Sequence, residues 1–149
     1  MSRPSSSRSP PRCIGSATDG AACRAASAGS ERSKALDAAV GAGDVATADK
    51  LADESIGRLE GGRRQLAIAG RWAPGSAVAV AADKFFVASQ ALVNGKRAGA
   101  VTRDLHAGQA AFEKAGGLAA WQGMITAAGS IKLPAGTSPK PCPNVAVQL

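Results

Sequence analysis

The chain has 149 residues and a formal net charge of +7, with 18 glycines, three phenylalanines, two tryptophans and no tyrosine. Its length suits one domain that folds without a metal or disulfide. Alanine supplies much of the apolar content, so we expect a thin core between closely packed helices. With one histidine and no tyrosine, acid–base catalysis would fall to carboxylates such as Asp49 and Asp53, whose spacing is typical of a solvated acidic face. Three cysteines without a CxxC spacing do not predict a zinc site. We therefore expect no enzyme, no cofactor and no metal.

The sequence predicts no transmembrane segment. The most apolar stretch, residues 75–93, is interrupted by Asp83 and Lys84, and the N-terminus lacks the hydrophobic core of a signal peptide. An exported protein with one disulfide from Cys142 to Cys13 or Cys23 stays an alternative.

Residues 1–30 contain Ser, Pro, Gly and Arg but almost no apolar residue larger than alanine. Such a segment buries too little surface to offset the entropy of ordering it. We predict a disordered basic tail over 1–30, a helical domain over 31–129 and a Pro-rich irregular tail over 130–149.

The helical domain is predicted to begin with Ser30 as the N-cap of a first helix, which the glycines of 41–43 weaken. Asp44 is a good N-cap for a second helix, which Gly61 and Gly62 are expected to end near Glu60.

The stretch "AVGAGDVATADKLADESIGRL" at 39–59 resembles one hairpin of a tetratricopeptide-type repeat through Gly43, Asp44 and Ala48. In such a repeat the glycine ends one helix and the small alanine lets the next approach it. The pattern should recur after about 34 residues. Ala77 stands there, inside a predicted helix, so we interpret the stretch as a local turn and assign no family.

Three further helices and one short helical stretch are predicted before the C-terminal tail. A short helix covers 63–73, and a largely buried helix covers 75–93, with Val80 and Val87 on a second apolar stripe. Asn94-Gly95 is a stop signal. A helix from Lys96 then follows, with one face formed by Val101, Leu105, Gly108, Phe112 and Ala115.

Gly116 and Gly117 end that helix, and a last one is predicted to run to Ala128. The sequence thus predicts an all-α fold, a small antiparallel bundle or stacked hairpins of four to five helices.

The charges are arranged in blocks. Residues 36–60, the acidic block, carry six acidic and two basic side chains, whereas residues 1–35 carry six basic and two acidic ones. Attraction within the fold is one interpretation, and an external partner is the other. The residues that would contact an anion or nucleic acid are Arg63, Arg64, Arg71, Lys96, Arg97 and Arg103.

Trp72 and Trp121 are the largest apolar side chains, and both flank predicted helix ends. Each would anchor the core or, if exposed, contact a partner. We expect a non-enzymatic helical protein that acts through protein–protein contacts or self-association. A basic nucleic-acid-associated protein is the first alternative, and its binding would be salt-sensitive.

Overall fold

The computed structural model describes residues 19–70 and 76–130, and these form five helices. They are α1 (Asp19–Ala42), α2 (Val45–Ala69), α3 (Ser76–Gly99), α4 (Ala107–Lys114) and α5 (Gly117–Gly129). The chain divides into a unit of Arg32–Lys132, which holds the bundle, and a second unit of Met1–Glu31 with Leu133–Leu149. Of the second unit, only residues 19–31 are described, as the first part of α1. The predicted all-α fold is confirmed.

The first helix begins at Asp19, so the predicted start at Ser30 is wrong, and residues 19–30 of the predicted disordered tail are helical. This segment contains no proline and is rich in alanine, the residue with the highest helix propensity. Low apolar content did not predict disorder correctly in this segment, because helix propensity alone favours a helix there. Residues 1–18 and 131–149 of the two predicted tails lie outside the described residues.

The turn between α1 and α2 matches the prediction. Gly43 adopts φ +71° and Asp44 donates its N–H to the carbonyl of Ala39 (2.9 Å), the pattern of a Schellman helix end. The Asp44 carboxylate then caps α2 by accepting from the backbone N–H (3.1 Å) and the hydroxyl (2.7 Å) of Thr47. These two hydrogen bonds, the hydroxyl one foremost, lower the pKa of Asp44.

Two predicted helix ends are wrong because the glycines there lie inside helices. Gly62 is within α2, where a Cβ would lie 3.2 Å from the ring of Phe86. Gly95 is within α3, where a Cβ would lie 2.7 Å from both the carbonyl oxygen of Ala107 and the Cβ of Ala111. These glycines allow close helix approach. Residues 63–69 of the separate short helix predicted over 63–73 are consequently the end of α2, and residues 71–75 lie outside the described part.

The helix predicted from Lys96 to Ala115 is instead the end of α3, a loop over 100–106 and α4. In the loop, Arg103 adopts φ +56° and the Asp104 carboxylate accepts the backbone N–H of His106 at 2.9 Å. This local hydrogen bond competes with helical pairing. Val101 and Leu105, predicted on an apolar face, are 72% and 55% exposed.

The central helix is α3, which packs against α2, α4 and α5. α2 runs antiparallel to it, since Gly62 meets Phe86 and Gly70 meets Ala79. α4 returns along the C-terminal half of α3 and α5 along the N-terminal half.

The core is thin, as the composition predicts. Among the described residues, ten hydrophobic ones are buried, of which Leu36 and Val40 are the largest that are fully enclosed. The others are Val93 and seven alanines, at positions 39, 48, 52, 79, 82, 88 and 100. Small side chains therefore fill most of the space between helices.

The expectation that α3 is buried is wrong for one of its faces. Val80 is 61% and Val87 is 43% exposed, whereas Ala82 and Ala88 are buried. By length and composition alone, Ala77–Gly99 is apolar enough to cross a membrane, a test that core helices of soluble proteins also pass. The absence of a transmembrane segment stays a prediction.

Candidate partner-binding surface

Three of the predicted anion-contacting side chains are held by carboxylates of the chain itself. Arg63 on α2 donates from Nε to Asp83 Oδ1 (2.7 Å) and from Nη2 to Oδ2 (3.3 Å) on α3. These hydrogen bonds raise the pKa of Arg63 and lower that of Asp83. The pair is about two-fifths exposed on each side, so it orients the helices at the surface.

Lys96 and Arg97 join the last turn of α3 to the acidic block. Lys96 Nζ lies 2.7 Å from Asp37 Oδ1 and donates to Ser33 Oγ at 3.3 Å, both on α1. Arg97 donates a hydrogen bond from Nη2 to Asp53 Oδ1. Its Nε lies 3.7 Å from Asp49 Oδ1, which is an ionic contact too long for a hydrogen bond. The acidic block thus attracts basic residues within the fold.

The structure does not gather the described members of the predicted basic set into one patch. Asp83 and Lys96 lie on α3 about 20 Å apart along the axis, at 1.5 Å per residue. Arg64 is exposed on α2, and the Arg103 side chain lies over Gly43 at the α1–α2 turn. Arg71 lies outside the described residues.

Trp121 packs into an aromatic cluster rather than into an open site. Its ring centroid is 5.2 Å from that of Phe85, which also contacts the rings of Phe112 (6.1 Å) and Phe86 (6.4 Å). Trp121 is half-buried, and this contact fixes α5 on α3. Trp72, the other predicted partner contact, lies outside the described residues.

An open groove lies between α3 and α5, with a volume of about 470 Å³. We call it the α3–α5 groove. Its lining residues are Ala77, Val80, Ala81, Asp83, Lys84, Val87, Ala115, Gly116, Ala119, Ala120 and Gly123.

The two walls of the groove differ in shape. On α3, Val80, Lys84 and Val87 repeat at helical spacing and form a ridge. On α5 and the turn before it, every lining residue is alanine or glycine, and a Cβ on Gly123 would meet nothing within 4 Å. The α3 ridge, which is apolar at Val80 and Val87, therefore faces a smooth, shallow wall on α5.

The groove contains no arrangement typical of catalysis. Asp83 is its one carboxylate, and that carboxylate is bound by Arg63. The side chain of His106, the single histidine, makes no capping hydrogen bond at the start of α4. Among the described residues, no group of three His, Cys, Asp or Glu could hold a metal ion. The groove therefore offers an apolar contact area with two charged side chains, Asp83, which is paired with Arg63, and Lys84, which is exposed.

No family model matches the chain, and no match is found among the curated proteins or the solved structures. Function is therefore inferred from the geometry of the described residues.

The groove could not be identified as a site from the sequence. The signal was present in α3, where two apolar stripes run along one helix, with Val80 and Val87 on the second. A thin alanine-rich core covers only one of them. An apolar stripe in excess of what the neighbouring helices can cover indicates a surface for something else.

Proposed function

We propose that this is a small non-enzymatic helical protein that acts through contacts with another protein chain, and that the α3–α5 groove makes those contacts. The main support is the exposure of Val80 (61%) and Val87 (43%) on the ridge of an open apolar groove. Covering one such side chain with a partner contributes about 1.5 kcal/mol to the free energy of binding.

The shape of the groove suits an apolar helix face. Helix-in-groove recognition places side chains at i, i+3, i+4 and i+7 into a hydrophobic channel between two helices. Here the alanine and glycine wall of α5 would let a partner backbone approach closely, while the α3 ridge packs between its side chains.

The internal ion pairs favour this proposal over a phosphate contact. Arg63, Lys96 and Arg97 each bind a carboxylate of the chain, so a phosphate would have to displace it. Interleaved aromatic side chains for stacking bases are also missing from the groove lining.

The experiment compares two valine substitutions that differ only in place. The full chain is immobilised, and proteins retained from an extract of its own cells are quantified for wild type, Val80→Lys and Val101→Lys. Val101 is 72% exposed and lies on the loop outside the groove. We expect Val80→Lys to lose retained proteins at least about tenfold, which corresponds to ~1.4 kcal/mol, and Val101→Lys to retain them. Equal retention by all three chains would overturn the proposal.

A further inference from the structure

We propose that the α3–α5 groove binds an acidic amphipathic helix of another protein, whose carboxylate pairs with Lys84 between two apolar contacts. This inference rests on the proposed function and specifies the chemistry of the partner. It follows from the position of Lys84 on the ridge, between Val80 and Val87. These two valines are about 10 Å apart along the helix axis. A partner that covers both of them therefore also covers Lys84.

Lys84 is the charge in the groove that the described residues leave unpaired. It is exposed and forms no ion pair with any of them. The positions one helical turn away on α3, which are 80, 81, 87 and 88, hold only valine or alanine. The facing helix α5 contains no charged residue. Asp83 is adjacent in sequence, but its carboxylate accepts two hydrogen bonds from Arg63. The groove thus presents one uncompensated positive charge on an apolar surface.

This charge determines which helix the groove accepts. Covering an ammonium group removes it from water, which costs free energy unless the covering surface supplies an acceptor. A carboxylate supplies a charged acceptor and forms the stronger kind of hydrogen bond. An entirely apolar helix loses part of what it gains by covering Val80 and Val87, and a basic helix is repelled. The groove therefore favours an acidic partner.

The ridge also predicts the spacing of residues in the partner. In a helix that lies along α3, apolar residues roughly seven positions apart cover Val80 and Val87, and the carboxylate stands roughly three or four positions from each. The groove of a second copy of this chain does not offer such a face. Its carboxylate, that of Asp83, is bound by Arg63, and its α5 wall is uncharged.

The first measurement uses the immobilised full chain and an extract of its own cells, and follows the proteins that Val80→Lys fails to retain. Lys84→Glu places a like charge against the partner's carboxylate, so we expect their retention to fall at least about tenfold. Lys84→Arg keeps the charge and should retain them. Arg58→Glu, an equal charge reversal on exposed α2 surface outside the groove, should also retain them. Added salt should weaken retention by wild type.

The second measurement identifies the group that contacts Lys84. A carbodiimide joins a lysine amine to a carboxylate in direct contact, forming an amide while the reagent takes up the water that is lost. In the complex retained by wild type, mass spectrometry should locate this amide between Lys84 and an aspartate or glutamate of another protein, with apolar residues on both sides of it. Lys50, exposed on α2 outside the groove, is the internal control and should give little or no such product.

The outcomes distinguish this inference from the proposed function. Val80→Lys tests the groove itself, because the partner presents an apolar side chain there and leaves the new charge unmatched. If Val80→Lys loses proteins that Lys84→Glu retains, or if Lys84 forms no amide with a carboxylate, the acidic partner is overturned and the proposed function stands. An equal loss by Arg58→Glu also overturns the acidic partner, because net charge alone then explains the binding. If neither groove variant loses any protein, both proposals are overturned. Circular dichroism verifies that each variant is folded.

Discussion

The guanidinium of Arg63 binds the carboxylate of Asp83 through two hydrogen bonds and so ties α2 to α3 at the edge of the α3–α5 groove. Each side chain is about 40% exposed, so this contact is partly screened by water. Its contribution to the free energy of unfolding is therefore best identified by how that free energy changes with pH.

The Arg63 hydrogen bonds hold the folded-state pKa of Asp83 below the ordinary value of 3.8. A carboxyl with a lowered folded pKa contributes stability above its unfolded pKa and loses it as the pH falls through the folded pKa. We expect Asp83→Asn to lower the free energy of unfolding at about pH 6 and the difference from wild type to close near about pH 2. Urea unfolding at several pH values measures this. A difference that stays constant with pH would contradict the assignment.

Gly95 and Gly57 form a matched pair of helical glycines with opposite surroundings. Gly95→Ala places a Cβ 2.7 Å from Ala107 O and Ala111 Cβ, and we expect it to cost about 1–3 kcal/mol through overpacking. A Cβ at Gly57 meets nothing within 4 Å, so Gly57→Ala should stabilise the fold by about 0.5–1 kcal/mol. Denaturant unfolding of both variants decides this. A Gly95→Ala variant that is stabilised in the same way as Gly57→Ala would show that α4 does not approach α3 as described.

The Lys96 side chain, only 14% exposed, links α3 to Asp37 on α1. A double-mutant cycle of Lys96→Met and Asp37→Asn should give a coupling energy of about 1 kcal/mol. The control cycle replaces Lys96→Met by Arg58→Met, because Arg58 is exposed and makes no ion pair with Asp37. A coupling energy near zero for the Lys96 pair, or an equal one for the control, would contradict the ion pair.

The Asp44 cap at the α1–α2 turn gives a further test. Asp44→Ala removes both hydrogen bonds with Thr47 and should lower the melting temperature, while Asp44→Ser should restore part of it, because serine is also a good N-cap. Thermal unfolding followed by circular dichroism measures the order wild type, Ser, Ala. A serine variant no more stable than the alanine variant would mean that the side chain does not cap α2.

The turn at Gly43 and Asp44 could be predicted from the sequence because its signals are local. A left-handed glycine and a capping carboxylate act within a few residues of their partners. The all-α class followed from helical periodicity in the same way.

Gly62 and Gly95 show why other boundaries failed. The sequence alone presents them as helix breakers, whereas their role is set by Phe86 and Ala111, which approach from other elements. A glycine inside a helix costs up to about 1 kcal/mol relative to alanine. Packing against other helices outweighs this cost at Gly62 and Gly95.

The α3–α5 groove could not be predicted from the sequence for a related reason. A valine at helical spacing has the same pattern whether another helix covers it or not, so Val80 and Val87 were indistinguishable from core residues until the position of α5 was known. The internal use of Lys96 and Arg97 likewise depends on helix pairing, which brings α1 and α2 beside the end of α3.

Site-specific photocross-linking at the ridge would show whether the α3–α5 groove contacts a protein. Lys84→p-benzoylphenylalanine places a photoreactive group at the centre of the groove, and Arg58→p-benzoylphenylalanine places it on exposed α2 surface outside it. In the cells that make the protein, irradiation should give a covalent adduct with a protein chain from position 84 and little or none from position 58. No adduct from position 84, or equal adducts from both positions, would contradict the proposal that this groove contacts a protein partner.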